Sequence, residues 1–220
     1  MAIKAIVYSD LNNHKQFINE CNIMIKLDHP NIVNIIEIWE WDKLLFLVMD
    51  FYEGGELFDY LKSRGYFEEF EVFKVIKQMA SILVYMEENQ IQHKDLKLEN
   101  FLLKDKEDLS NIKVVDFGLS KDLSHSNVIQ NASGTPFYVA PETLMLKGSI
   151  KSDIWSLGVI MYIMLSGKVP FTGQSSDQIL KNVLNQEVDF SHPSFIHVSQ
   201  EAKDLILRML DRNIDTRISS

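Results

Sequence analysis

The spacing of apolar residues changes character near residue 55. Residues 2–8 are apolar and partly β-branched, which predicts a strand. Phe17, Ile18, Cys21, Met24 and Ile25 recur at helical spacing, so residues 14–27 predict an amphipathic helix. Asp28-His29-Pro30-Asn31 should end it, because a residue before proline avoids the α region. Residues 33–39 and 44–51 predict two strands, with Asp42-Lys43 at the turn between them. The run Leu44 to Met49 is apolar on both faces, which predicts an interior strand. Glu53-Gly54-Gly55 breaks this pattern, and the chain then becomes mostly helical. Helices are predicted over 56–63 and 68–89, the second with Val72, Val75, Ile76, Met79, Ile82, Leu83 and Met86 on one stripe. Two short strands, 101–103 and 112–115, should flank a charged turn at 104–108. Further helices are predicted over 154–165, 177–185 and 199–210.

A strand-rich start, a glycine pair and a helix-rich remainder suggest two lobes joined by a short hinge. A cleft between lobes is a common site for a small molecule. Composition narrows the class. Hydrophobic residues make up 46% and charged residues 24%, which is ordinary globular usage and argues against disorder. Lysine and arginine total 22 against 31 aspartates and glutamates, a net charge of −9. That balance argues against nucleic acid as a partner and is compatible with basic peptides. The one cysteine, Cys21, excludes an internal disulfide and a Cys-rich zinc module, and favours a reducing compartment, cytoplasmic or nuclear. No basic stretch followed by an apolar run opens the chain, so no signal peptide is predicted. The apolar segment 154–165 is too short to cross a bilayer.

The stretch His93-Lys94-Asp95-Leu96-Lys97-Leu98-Glu99-Asn100 should lie on a loop between a long helix and a short strand. Asp116-Phe117-Gly118 follows the next strand directly. An Asn and an Asp at adjacent strand ends can jointly offer oxygens to Mg²⁺, which takes one or two protein carboxylates beside phosphates and water. Asp95 could then accept a proton from an attacking hydroxyl, and Lys97 could neutralise charge on a transferring phosphoryl group. Taken singly, each of these residues reads as a turn former or a solvated charge. Their joint order, with Ala140-Pro141-Glu142 downstream, is far more specific.

That order resembles the catalytic domain of eukaryotic protein kinases, and the likeness runs over essentially the whole chain. It implies an α+β, bilobal fold: residues 1–50 a partial small lobe, 51–55 the hinge, 56–220 the helical lobe. It implies ATP and Mg²⁺ as cofactors. Ala2-Ile3-Lys4 resembles the family's Val-Ala-Ile-Lys, so Lys4 would bind the α and β phosphates with Glu20 as its ion-pair partner. Met49 would be the gatekeeper, and Asp50 to Tyr52 the segment that hydrogen-bonds adenine. Asp95 would be the catalytic base, aided by Lys97, with Asn100 and Asp116 as metal ligands. Glu142 would pair with Arg217, and Asp153 would brace the catalytic loop. Lys97 and the run Gly134-Thr135-Pro136 to Glu142 are similar to the serine/threonine class, near calcium/calmodulin-dependent and calcium-dependent kinases. By that likeness Glu56, which also borders the nucleotide, and Glu99 would receive arginines of a protein substrate. Thr135 would hydrogen-bond near Asp95 and Lys97.

The pattern departs from the family in places. No Gly-x-Gly-x-x-Gly occurs. The likeness therefore implies an N-terminally truncated domain without its first two strands, one that binds ATP weakly by itself. The missing glycines also remove a dinucleotide-binding reading. Lys94 replaces an arginine before Asp95, which weakens the case for control by phosphorylation, although Ser120, Ser124, Ser126 and Ser133 offer hydroxyls. No EF-hand loop occurs, so a calcium sensor or calmodulin would lie outside this chain. The competing reading is a kinase-like module that binds or scaffolds without catalysis.

Overall fold

The computed structural model describes residues 1–8, 11–124, 135–145 and 148–220. A small lobe holds β1 (Ala2–Val7), α1 (Leu11–Lys26), β2 (Ile35–Trp41) and β3 (Leu44–Met49). Its sheet is antiparallel in the order β1-β3-β2, so β3 is the central strand, as its two-faced apolar run requires. Lys4 stands opposite Leu47 in the register and its ammonium reaches Glu20 of α1. The sheet face bearing Lys4, Leu45 and Leu47 is therefore the one that α1 covers.

The larger lobe begins with β4 (Gly55–Glu56), α2 (Leu57–Arg64), α3 (Glu69–Glu88) and β5 (Ile91–Gln92). β6 (Phe101–Leu103), β7 (Ile112–Val114) and β8 (Lys121–Asp122) follow, then α4 (Pro141–Leu144), α5 (Lys151–Ser166), α6 (Ser176–Asn185) and α7 (Gln200–Met209). Two small antiparallel sheets, β4-β6-β7 and β5-β8, lie among the helices. The architecture is α+β and bilobal.

All seven stripe residues of α3 are buried. Each such side chain stabilises the fold by about 1.5–3 kcal/mol relative to exposure. α5 is buried on every side, which explains its lack of a polar face. It packs between α3 and α7. At Gly158 a Cβ would fall 2.9 Å from Met209 Cβ and 3.0 Å from Leu210 Cδ2, so α5 and α7 touch there only because a side chain is missing. Gly158→Ala should cost about 1–3 kcal/mol through overpacking. A urea titration should show a lower midpoint with an unchanged slope.

The glycine pair is part of a sheet as well as a break. Gly55 has φ +72° and pairs with Leu103, while a Cβ at Gly54 would fall 2.5 Å from the Asp105 carbonyl oxygen. The strand predicted from residue 33 begins at Ile35. Val33 instead donates its N–H to the Val114 carbonyl (3.1 Å), and Ile32 bridges to Val114. This link between the lobes is further held by Asp28 N–H to Tyr85 Oη (2.9 Å). Asn31 Nδ2 donates to Gln78 Oε1 (3.0 Å) and to the Ile112 carbonyl (2.9 Å).

Candidate active site

β6 and β7 pair with Phe101 opposite Val114, so Asn100 and Asp116 emerge at the same end of the ladder. Val115 N–H donates to the Asn100 carbonyl at 2.9 Å and fixes that alignment. Asp116 has φ +65°, a left-handed conformation that a short polar side chain tolerates and that recurs at functional sites. Its carboxylate accepts from Lys4 Nζ at 3.0 Å, and Lys4 also donates to Glu20 Oε1 at 2.7 Å. One ammonium from the small lobe thus joins a carboxylate on α1 to a carboxylate of the large lobe. Burial works against the Lys4 charge, but Glu20 and Asp116 together hold its pKa above the ordinary lysine value. Burial likewise works against the Asp116 carboxylate, and Lys4 outweighs it and keeps that group below its ordinary value.

Asn100 is buried and donates Nδ2 to the Asp95 carbonyl at 2.8 Å. Among the described residues its Oδ1 accepts no hydrogen bond, so that oxygen is free to ligate. Asn100 Oδ1 and the second Asp116 oxygen form a hard, oxygen-only donor set of the sort Mg²⁺ prefers when phosphates and water complete its shell. Among the described residues there is no cluster of three or more His, Cys, Asp or Glu that could hold a metal unaided.

Asp95 sits on the loop before the turn Leu98–Asn100. One carboxylate oxygen accepts Lys97 Nζ at 2.5 Å, and the other accepts Thr135 N–H at 3.2 Å and Thr135 Oγ1 at 3.1 Å. Lys97 also reaches Thr135 Oγ1 at 3.3 Å. The loop itself is shaped from beneath. Asp153, buried on α5, accepts the N–H groups of His93 (2.8 Å) and Lys94 (3.0 Å). Lys94 has φ +72°, so those two donors converge on one carboxylate. His93 is fully buried with its ring 4.9 Å from that of Phe117, and burial lowers its pKa to about 4, leaving it neutral.

Glu142 on α4 and Arg217 form a buried pair through the two terminal guanidinium nitrogens, at 2.6 and 2.8 Å. Glu99 lies beside Tyr138, whose phenol is pushed upward first by burial and then by that carboxylate. Met49 is partly buried at the end of β3, Asp50 is exposed, Tyr52 is buried and Glu56 is exposed at the start of α2. Among the described residues no hydrogen bond or ion pair links these four to Lys4, Glu20 or Asp116.

Ser120 corrects the sequence reading. Its side chain is buried and donates to the His93 carbonyl at 3.1 Å, so it is a strut of the loop that bears Asp95 and offers no free hydroxyl. Ser124 bonds to Asp122. Ser126 and Ser133 lie outside the described residues. Sequence reasoning also missed Ser152, which donates to Glu142 Oε1 at 2.7 Å, and Lys151, whose ammonium reaches the Arg217 carbonyl at 2.9 Å. Nothing in their spacing distinguishes them from helix-start residues.

The sequence profile described as the protein kinase domain matches residues 1–220. The chain belongs to that family. The kinase domain is 41% identical over 217 residues to calcium-dependent protein kinase 5 of Plasmodium falciparum (isolate 3D7), covering 99% of this chain and 38% of the relative. It is 43% identical over 208 residues to calcium-dependent protein kinase 4 of Plasmodium berghei (strain Anka), covering 94% of this chain and 39% of the relative. With calcium-dependent protein kinase 3 of the same organism the identity is 39% over 222 residues, covering 100% and 40%. The kinase domain thus spans about two fifths of the length of these curated relatives. No helix among the described residues is long and apolar enough to cross a membrane.

Proposed function

We propose that the chain transfers the γ-phosphoryl group of ATP to serine or threonine hydroxyls of protein substrates. The observation that carries this reading is the Lys4 bridge, 2.7 Å to Glu20 and 3.0 Å to Asp116. It sets a fixed cation against Asp116, one of the two proposed metal ligands. ATP with Mg²⁺ supplies the transferable phosphoryl group and neutralises its charge. Lys4 orients phosphate oxygens, and Asn100 and Asp116 offer the metal its protein oxygens. Asp95 takes up the proton of the acceptor hydroxyl. Lys97 keeps the Asp95 carboxylate turned toward the acceptor and adds positive charge where negative charge develops.

Glu99 stands half-buried beside Tyr138 as a carboxylate that a basic side chain of the substrate would meet, and the charge of −9 favours such substrates by steering. The names of the relatives support a calcium-sensing partner or domain beyond this chain.

Thermal melting tests the nucleotide site. A ligand present at about ten times its Kd stabilises the folded state by about 1.4 kcal/mol. Millimolar Mg-ATP should therefore raise the wild-type midpoint by several degrees, and Lys4→Met should abolish most of the rise. A wild-type midpoint that ignores Mg-ATP refutes the reading.

A further inference from the structure

Glu20 can serve Lys4 only while α1 stays against the large lobe, and three side chains hold it there. Gln16 Nε2 donates to the Gly118 carbonyl at 2.9 Å, and Asn19 Nδ2 donates to the Ser120 carbonyl at 3.1 Å. Nearly two helical turns beyond Glu20, Lys26 Nζ meets Asp122 at 2.5 Å. Residues 16, 19 and 26 fall on one flank of α1, beside the Glu20 row. The segment they grip, 118–122, is itself fixed on its far side. There Ser120 Oγ donates to the His93 carbonyl, and Lys121 pairs with Gln92 in the β5–β8 ladder.

We propose that Gln16 and Asn19 are positioning residues that hold α1 to this segment and thereby keep Glu20 within reach of Lys4. Both donors are neutral amides and both acceptors are backbone carbonyls. The clamp is therefore insensitive to salt, in contrast to the Lys26–Asp122 pair. It also survives any side-chain substitution in residues 118–120 that preserves the backbone path. Each hydrogen bond is modest by itself. Opening a local unit needs only the low end of the stability range, so losing two such bonds should change how often α1 lifts without unfolding the chain.

The molecule carries its own reporter. Cys21, the single cysteine, follows Glu20 on α1 and is 2% exposed, with its thiol pushed up to about 11 by burial and by the neighbouring Glu20. A thiol held this way reacts slowly with alkylating agents. In the Gln16→Ala/Asn19→Ala variant, iodoacetamide should modify Cys21 at least about ten times faster than in wild type, with the melting midpoint within a few degrees. Asn22→Ala, at an exposed neighbouring position on the same helix, should match wild type. The alkylation rate requires no kinase activity, so its outcome is independent of the proposed reaction. Where phosphoryl transfer is measurable, the double variant should raise KM for ATP several-fold and leave KM for the peptide unchanged. A Cys21 alkylation rate identical in the double variant and wild type overturns the proposal. So does a rate increase that Asn22→Ala reproduces. If the double variant melts far lower, the single variants Gln16→Ala and Asn19→Ala are compared at a temperature well below their midpoints, and the same rate criterion decides.

Discussion

Asp95→Asn should lower phosphoryl transfer to a basic serine- or threonine-containing peptide by roughly 10²–10⁴-fold, the range for loss of a positioned acid–base group. The substitution conserves volume, so the cause is chemical. An amide cannot take up the acceptor proton at neutral pH. It also brings an N–H₂ group into a carboxylate's place between donors: Lys97 Nζ on one side, Thr135 N–H and Oγ1 on the other. Whichever way the amide turns, one donor faces another, and the side chain must rotate off its present line. The Mg-ATP melting shift should remain close to wild type, because Asp95 is assigned no phosphate or metal. ³²P incorporation measured under single-turnover conditions separates these effects. Equal incorporation by Asp95→Asn and wild type would remove Asp95 from the reaction. Incorporation by neither protein would favour the reading of a kinase-like module that binds without catalysis.

The largest effect on stability is expected at Arg217. Its guanidinium is buried and holds Glu142 through two bonds, donates Nε to the Asp211 carbonyl at 2.8 Å and Nη1 to the Lys151 carbonyl at 2.9 Å, and lies 5.2 Å from the centre of the Trp155 ring. Arg217→Leu leaves the Glu142 carboxylate buried with only Ser152 to bond it. Breaking a buried pair in this way costs about 3–5 kcal/mol. For a chain of this size that lowers the melting midpoint by on the order of 10 °C. Burial tends to raise the Glu142 pKa, but Arg217 overrides it and holds the group below the ordinary value of 4.5. A depressed carboxyl stabilises the folded state fully above its unfolded pKa, and the contribution is lost as pH falls through the folded value. Wild type should therefore lose stability below about pH 4.5. The gap between wild type and Arg217→Leu should narrow over the same range. Calorimetric scans from pH 7 to pH 3 measure both. A gap that stays constant with pH means that the pair's charge plays no part.

Long elements were legible because burial writes a period into them. The α3 stripe follows from a single packing surface and the two-faced apolar run of β3 from its central place in the sheet, and both lie where the sequence puts them. β5 and β8 have two residues each, too few to show alternation, and they exist because Gln92 and Lys121 meet across 29 positions of chain. The proximity of Lys4, Glu20 and Asp116 was readable only through the family's motif order, since no local rule joins positions 4 and 116. The amide contacts of Gln16 and Asn19 were not readable at all. An exposed Gln or Asn on a helix is ordinary in composition, and its acceptors are carbonyls that any sequence supplies. Ser120 was misread for a related reason: a serine near a glycine looks like loop surface until the fold closes His93 over it.

The bonded link at residues 28–33 divides the small lobe mechanically. α1 lies on one side of it and is fastened to the larger body. β2 and β3 lie on the other side, beyond Val33, where main-chain attachment to β7 ends, and β1 joins them through its pairing with β3. The link then works as a fulcrum with the sheet as its lever arm, and β1, six residues and about 20 Å long, runs out along that arm. A tilt of the sheet relative to α1 would change the distance from Lys4 to Glu20. The 2.7 Å spacing between them is thus a vernier on the tilt, and it marks the angle at which the two halves are aligned.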